Sequence, residues 1–300
     1  MSPLQGDGAA PLDESVVVRT VILRLSKDWV LDLNSPEVKN DGLRVWLSGE
    51  SGAGKSFACA LILEQFIMMG WQIVVLDMHG EYSSLWAHAP HRIQRMGYGT
   101  ELHEVDDVDP ALALVKAGQS LLIDLSGWAD IETRKLDVFL LNFLKGLYRL
   151  RRDSPGKTLL VLEEAQTVAP QAQSKGQMDN VKLVTSIITG GRKFGLDVLV
   201  TSQRISLVDY NIPRSCNVRV LLRVADIEDY ARYKPYLPAG SPIHFNGKTK
   251  VDGVLVSLPR EDNITKFRNG EAIVTSRWFE DARVQLDLPT IHPRKRSKAA

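Results

Sequence analysis

One stretch of the sequence has the residue types and spacing of a phosphate-binding loop, G-x-x-x-x-G-K-[ST]. Its eight positions are Gly49, Glu50, Ser51, Gly52, Ala53, Gly54, Lys55 and Ser56. A strand-like run, RVWLS, precedes the loop, and a helix-like run, FACALILEQFIMM, follows it. Glycines let backbone N–H groups face a β-phosphate, Lys55 can reach the β- and γ-phosphates, and the Ser56 hydroxyl can ligate Mg²⁺. The pattern predicts that the chain binds a nucleoside triphosphate with Mg²⁺.

Two adjacent acids, Glu163 and Glu164, follow the apolar run LLVL. Side chains alternate along a strand, so the two carboxylates can serve different tasks at the edge where open α/β sheets bind ligands. Glu163 is predicted to hold Mg²⁺, and Glu164 to orient and deprotonate the attacking water. The alternative is a pair of solvated acids at the start of a helix. The guanine-reading pattern NKxD does not occur in the sequence, which favours ATP over GTP.

Two further residues are candidates for catalysis. Gln203 follows the apolar run LDVLVTS, where its amide can sense the γ-phosphate or the attacking water, unless it is an ordinary surface glutamine. Arg192 lies in a Gly-rich segment near a helix end. It either compensates the helix dipole or serves as an arginine finger in the site of a neighbouring subunit.

Short apolar runs alternate with helical patterns through most of the chain, which predicts a doubly wound, mostly parallel α/β sheet covered on both faces. Leu136, Leu140, Phe143, Leu147 and Leu150 recur at helical spacing and predict an amphipathic helix over Ile131–Arg152. The predicted strands are Val16–Leu25, Arg44–Ser48, Gln72–Asp77, Ser120–Leu125, Thr158–Glu163, Leu196–Ser202, Val218–Val224, Gly253–Leu258, Glu271–Ser276 and Ala282–Leu288.

Composition sets outer limits on the class of protein. A hydrophobic share of 44% and a charged share of 24% are typical of a globular chain, and a net charge of +1 limits any polyanion site to a local patch. Two isolated cysteines and no membrane-length apolar run favour the cytoplasm without membrane attachment. The expected organisation is a flexible N-terminus (1–15), a short β segment (16–40), the nucleotide-binding core (41–240), a C-terminal β extension (241–290) and a basic tail (291–300).

An ordered set of motifs resembles the HerA branch of the HerA/FtsK superfamily of P-loop translocases. The motifs are DMHGEY at 77–82, LVLEEAQ at 160–166 and GGRKFGLDVLVTSQR at 190–204, followed by NVRVLLRVADIEDY and FRNGEAIVTS. The resemblance covers about residues 28–290. Because residues 1–43 leave little room before the phosphate-loop strand, the N-terminal β-barrel of that family is expected to be missing.

The resemblance implies a RecA-like ATPase that forms a ring, usually a hexamer, and translocates or unwinds double-stranded DNA, in some cases with a nuclease partner. It implies that Lys55 contacts the phosphates and that Ser56 contacts the metal ion. Glu163 is the acid on the side of the metal ion, and Glu164 is the catalytic base. Gln203 is then the sensor of the γ-phosphate, and Arg192 is the arginine finger in the site of a neighbouring subunit. The alternatives are a nucleotide-dependent switch or scaffold that moves no DNA, and a DNA-packaging or conjugative coupling ATPase.

DNA contact rests on weaker patterns in the sequence. The polar segment 169–180 is either a pore loop or an ordinary connection, and Arg149, Arg151 and Arg152 are interpreted as a solvated helix face. Contacts to DNA phosphates would be salt-sensitive and independent of base sequence.

Overall fold

The first elements of the structure, a computed structural model, form a small β-hairpin and one short helix. Residues 21–84, 93–97, 107–129, 133–171, 177–245, 248–251, 254–257, 259–290 and 293 are described. Strands β1 (Ile22–Ser26) and β2 (Trp29–Asp32) pair antiparallel. Helix α1 (Pro36–Asp41) follows, and the Ser35 hydroxyl caps it by accepting from the N–H of Val38 at 3.3 Å.

A nine-stranded sheet forms the centre of the fold, in the order β13-β12-β9-β3-β8-β7-β4-β6-β5. All neighbours from β9 to β5 are parallel, whereas β12 pairs antiparallel with both β9 and β13. This arrangement confirms the predicted doubly wound, mostly parallel fold. The strands are β3 (Arg44–Ser48), β4 (Gln72–Asp77), β5 (Ile93–Gly97), β6 (Ser120–Asp124), β7 (Thr158–Leu162), β8 (Leu196–Ser202), β9 (Val218–Leu221), β12 (Glu271–Ser276) and β13 (Ala282–Gln285).

Helices connect the parallel strands, and a separate hairpin, β10 (Lys248–Val251) with β11 (Val254–Ser257), precedes β12. No helix in the described ranges combines the length and the apolar character needed to cross a bilayer. The remaining helices are α2 (Lys55–Met68), α3 (Asp109–Lys116), α4 (Ser126–Ala129), α5 (Thr133–Asp153), α6 (Ala165–Val168), α7 (Gln177–Gly190), α8 (Asn211–Ser215) and α9 (Ile227–Tyr233).

The sheet separates two hydrophobic cores, as a sheet covered on both faces requires. One core contains the apolar face of α5, where Leu136, Leu140, Phe143 and Leu147 are buried together with Ile187 of α7. The other core lies between the sheet, α2 and the β1–β2 hairpin, and it includes residues of β12 and β13. The amphipathic pattern of α5 therefore identifies the side of the helix that packs on the sheet.

Some predicted boundaries differ from the structure. Strand β6 ends at Asp124, β7 at Leu162 and β9 at Leu221, each before its predicted end. Strand β5 was not predicted, because its sequence, IQRMG, has neither a continuous apolar run nor a clean alternation. The predicted strand 16–25 is described only from residue 21, and the basic tail residues 294–296 lie outside the described residues. Strands β12 and β13 pair with the central sheet.

Candidate functional site

The phosphate loop joins the end of β3 to the start of α2, and its first two residues are hydrogen-bonded to the end of β8 and to the segment after β9. The N–H of Gly49 donates to the carbonyl of Ser202 at 3.3 Å, and the N–H of Glu50 donates to the carbonyl of Arg223 at 2.9 Å. Gly54 has φ 107° at the helix start. A β-carbon there would also lie 3.0 Å from the N of Gly270, so this position needs glycine for two reasons.

The side chain of Lys55 folds back over the loop, where Nζ donates to the carbonyl of Glu50 at 3.2 Å. Only 9% of the residue is exposed. Burial lowers the pKa of Lys55, and the nearby carboxylates of Glu164, Glu81 and Glu163 oppose that shift. A buried cation beside loop amides and a helix N-terminus provides a region of positive charge suited to bound phosphates.

The first predicted acid, Glu163, is held behind the loop by backbone donors from the segment after β4. Its Oε2 accepts from the N–H of Met78 at 2.7 Å and from that of His79 at 3.3 Å. A side-chain hydrogen bond joins it to the buried Asp77. Burial, reinforced by the Asp77 carboxylate, raises the pKa of Glu163 well above its ordinary value. The two carboxyl groups therefore share a proton unless a cation replaces it.

Asp77 builds the turn that follows β4. Its Oδ1 accepts from the N–H groups of Gly80 at 2.7 Å and Glu81 at 3.1 Å, and its Oδ2 accepts from that of Tyr82 at 3.0 Å. The turn places Glu81 beside the loop, where the Ser56 hydroxyl donates to its carboxylate. Side-chain oxygens of Ser56, Glu81 and Glu163 therefore border one end of the cleft. Oxygen ligands of this kind suit Mg²⁺, which takes few protein ligands in addition to phosphate.

The second predicted acid, Glu164, is linked to Gln203. Nε2 of Gln203 donates to Oε1 of Glu164 at 2.7 Å, and the Gln203 N–H donates to Oε2 at 3.3 Å. The side-chain amide of Gln166 donates to the same carboxylate. Glu164 is 4% exposed and has φ 48°, the one positive φ outside glycine in the described part of the chain. Such a backbone is strained and persists where its surroundings hold it, which is common at functional sites.

Arg192 lies at the opposite edge of the sheet. It occupies a 3₁₀ turn, Gly191–Phe194, immediately before β8, whereas Gln203 follows the other end of that strand. The seven residues of β8 span about 23 Å, so Arg192 cannot reach the cleft of its own chain. Its guanidinium donates to the carbonyl of Asn40 and to Oδ1 of Asp41, the latter at 3.2 Å.

One cleft of about 520 Å³ gathers most of the predicted site residues. Lys55, Ser56, Glu163, Glu164 and Gln203 line it. Ser51, Gly52 and Gly54 of the loop also line the cleft, whereas Gly49, Glu50 and Ala53 do not.

Sequence reasoning missed several residues of the cleft. Glu81 lies in the DMHGEY motif, which predicts no role for it, and the same holds for Asp77, which supports the cleft through its bond to Glu163. Asn269 and Gly270 belong to the FRNGEAIVTS motif, which carries no predicted role for them, and the segment 285–288 at the end of β13 has no motif. The predicted segment 169–180 is only partly described: α7 begins at Gln177, and residues 172–176 lie outside the described residues.

The parallel sheet, the phosphate loop at the end of β3 and the acids at the end of β7 define a RecA-like P-loop ATPase. Residues 45–144 match the family model described as "Helicase HerA, central domain". The chain is 34% identical over 71 residues to the "DNA double-strand break repair helicase HerA" of Pyrococcus furiosus, a match spanning 24% of this chain and 12% of that protein. These matches confirm the resemblance to HerA-type ATPases indicated by the motifs.

Solved structures of the same class share the fold. VirB4 of Thermoanaerobacter pseudethanolicus superposes with a TM-score of 0.63 at 11% identity, over 90% of this chain and 97% of that one. The bacterial conjugative coupling protein TrwB gives a TM-score of 0.59 at 12% identity, over 84% and 88% of the two chains. The genome packaging NTPase B204 of Sulfolobus turreted icosahedral virus 2, in complex with ATPγS, gives a TM-score of 0.52 at 12% identity. The superposition covers 81% of this chain and 97% of that one.

Proposed function

We propose that this protein is an ATP-hydrolysing motor that assembles into a ring, a hexamer, and translocates or unwinds double-stranded DNA. The observation that carries the proposal is the hydrogen-bonded pair of Glu164 and Gln203 in the cleft that also contains Lys55 and Ser56. A carboxylate held by an amide, next to a phosphate loop, is the arrangement needed to activate water against a γ-phosphate.

In the proposed reaction, the loop amides and Lys55 bind the β- and γ-phosphates. Ser56 and Glu163 would hold Mg²⁺, with Glu81 beside them, and the ion would neutralise charge on the phosphate oxygens. Water attacks the γ-phosphorus while Glu164 accepts its proton. The bond to the β–γ bridging oxygen breaks, leaving ADP and inorganic phosphate. Gln203 orients the Glu164 carboxylate and reports whether the γ-phosphate is present.

Arg192 acts, in this proposal, in the site of the next subunit. Its distance from the cleft of its own chain supports that role, because an arginine finger must lie on a surface that faces a neighbour. The guanidinium would then exchange its contacts with Asn40 and Asp41 for the phosphates of the neighbouring site. Such an exchange makes rapid hydrolysis depend on assembly of the ring.

DNA as the partner follows from the class of the relatives. The Pyrococcus furiosus protein is described as a DNA repair helicase and B204 as a genome packaging NTPase. We propose contacts to DNA phosphates without base specificity, and a nuclease as a partner protein. The proposed compartment is the cytoplasm, where the buried thiols Cys59 and Cys216 would stay reduced.

The test combines ATPase assays with mass measurement in solution, with and without ATP and duplex DNA. We expect DNA to stimulate hydrolysis, six subunits to assemble, and Glu164→Gln to reduce hydrolysis to background. Glu261→Gln, which changes an exposed acid far along the chain, is the matched control and should behave as wild type. Normal hydrolysis by Glu164→Gln would remove its assignment as the base. A lasting monomer with DNA-independent hydrolysis would favour the switch or scaffold.

A further inference from the structure

The cleft has a second end, whose walls are Phe57 of α2 and residues just before β12 and at the end of β13. The latter are Asn269, Gly270 and the segment 285–288. We propose that this end binds the base and ribose of the nucleotide and that the side-chain amide of Gln285 selects adenine. The inference rests on the proposed ATPase function and extends it to the choice of nucleotide.

Backbone hydrogen bonds fix this wall against the phosphate loop. The N–H of Gly270 donates to the carbonyl of Ala53 at 3.0 Å, and the N–H of Leu286 donates to the carbonyl of Gly270 at 2.9 Å. The wall is thus joined directly to the loop that would bind the phosphates. A nucleotide whose phosphates occupy the loop can extend its nucleoside half along this wall.

The amide of Gln285, which lines the cleft, keeps hydrogen-bonding groups for a base. Its Nε2 donates to the backbone carbonyl of Asn269 at 3.0 Å, which leaves a second N–H and the carbonyl oxygen of the amide for a ligand. Adenine presents its N6 amino group beside the acceptor N7, a donor and an acceptor that an amide matches. Guanine presents the two acceptors N7 and O6 at the same edge, which an amide matches less well.

The other side chains at this end suit the rest of a nucleoside. Leu288 is 75% exposed and Phe57 is 38% exposed, and both line the cleft, so apolar side chains border the place proposed for the base. Oδ2 of Asp287 accepts from Nε of Arg24 at 2.8 Å, and Nη2 of Arg24 lies 2.8 Å from the same oxygen. The other carboxylate oxygen, Oδ1, is an acceptor of the kind that binds ribose hydroxyls.

The experiment compares three ligands by calorimetry: ATPγS, GTPγS and inorganic tripolyphosphate, which carries phosphates without a nucleoside. We expect Gln285→Leu to weaken ATPγS binding about tenfold while GTPγS and tripolyphosphate bind as to wild type. Lys55→Ala should weaken all three ligands, because it removes a phosphate contact. Glu280→Ala, which changes an exposed residue between β12 and β13, is the matched control and should change none.

The outcomes separate this inference from the proposed function. If wild type binds none of the three ligands, the proposed ATPase function itself fails. If wild type binds ATPγS and tripolyphosphate but Gln285→Leu affects neither nucleotide, or weakens both equally, Gln285 does not select adenine. A wild-type preference for GTPγS over ATPγS would overturn the assignment of the base.

Discussion

Nε2 of Gln203 lies 2.7 Å from Oε1 of Glu164, although 39 residues separate the two in the chain. Strands β7 and β8 are parallel neighbours in the sheet, and the two residues follow their carboxyl ends. Ligands bind at this edge of an open α/β sheet, so the pairing brings a carboxylate and an amide together where a phosphate would lie.

Loss of the Gln203 amide should impair catalysis more than binding. We expect Gln203→Leu to lower kcat about a hundredfold, because the Glu164 carboxylate loses the donor that orients it, with little change in KM. Steady-state ATPase assays measure both constants. Gln94→Leu, on the edge strand β5, is the control. An unchanged kcat would contradict the catalytic role of Gln203, and a rise in KM alone would show that Gln203 contributes only to binding.

The role of Arg192 can be tested by mixing subunits. Rings made only of Arg192→Ala subunits should lose about a thousandfold in rate, and rings of Lys55→Ala subunits should be inactive. A mixture should recover activity, since some interfaces then combine an intact Lys55 with an intact Arg192 from the neighbour. Lys193→Ala changes the adjacent exposed cation and should retain activity. Mixed rings, verified by mass, that stay inactive would contradict a role across the interface.

Asp197, near the start of β8, should make stability depend on pH. Burial raises its pKa to about 6, although the N–H of Leu43 donates to Oδ1 at 2.7 Å. The folded state then binds the Asp197 proton more tightly than the unfolded state does. The contribution of protonated Asp197 to stability is therefore complete below about pH 4 and is lost as pH rises to about 6. Relative to Asp197→Asn, wild type should lose about 3 kcal/mol across that range.

Urea unfolding of both proteins at a series of pH values measures the Asp197 effect. The difference between the two proteins isolates this carboxyl group from other titrating residues. A constant difference from pH 4 to pH 7 would mean that the pKa of Asp197 is the same in the folded and unfolded states.

The buried face of α5 should contribute far more to stability than its exposed face. Leu140 is fully buried, whereas Val138, two positions earlier, is 54% exposed. We expect Leu140→Ala to reduce the free energy of unfolding by about 3 kcal/mol through lost contacts and a cavity. Val138→Ala is the matched control and should change it by less than about 0.5 kcal/mol. Equal effects in urea unfolding would show that the helix packs with another face.

The sequence predicts the central strands well because strands buried on both faces carry continuous apolar runs. Strand β8 matches its predicted bounds, Leu196–Ser202, residue for residue. Strand β7 stops one residue short of its predicted end, because the chain turns at Glu163 and Glu164 takes a left-handed backbone conformation. Local apolar character determines which segments become strands, whereas the functional residues determine where those strands end.

The cleft is only partly predictable from the sequence. The phosphate loop and the acid pair are continuous motifs, but Asp77 meets Glu163 only because β4 and β7 are neighbours in the sheet. Arg151 illustrates the same limit: a basic run at a helix end predicts a solvated face, yet its guanidinium is buried and donates to the side-chain oxygen of Gln72. Contacts between distant segments are decided by the topology of the sheet.

The segment after β13 couples both ends of the described chain to the nucleotide cleft. The N–H of Asp287 donates to the carbonyl of Leu25 in β1 at 2.8 Å, and the N–H of Thr290 donates to Oε2 of Glu64 in α2 at 2.9 Å. A displacement of residues 286–290 would therefore be transmitted to the helix that begins at Lys55. A tag or fused domain attached next to this segment is expected to change the affinity for nucleotide, so the attachment point should be varied in experiments.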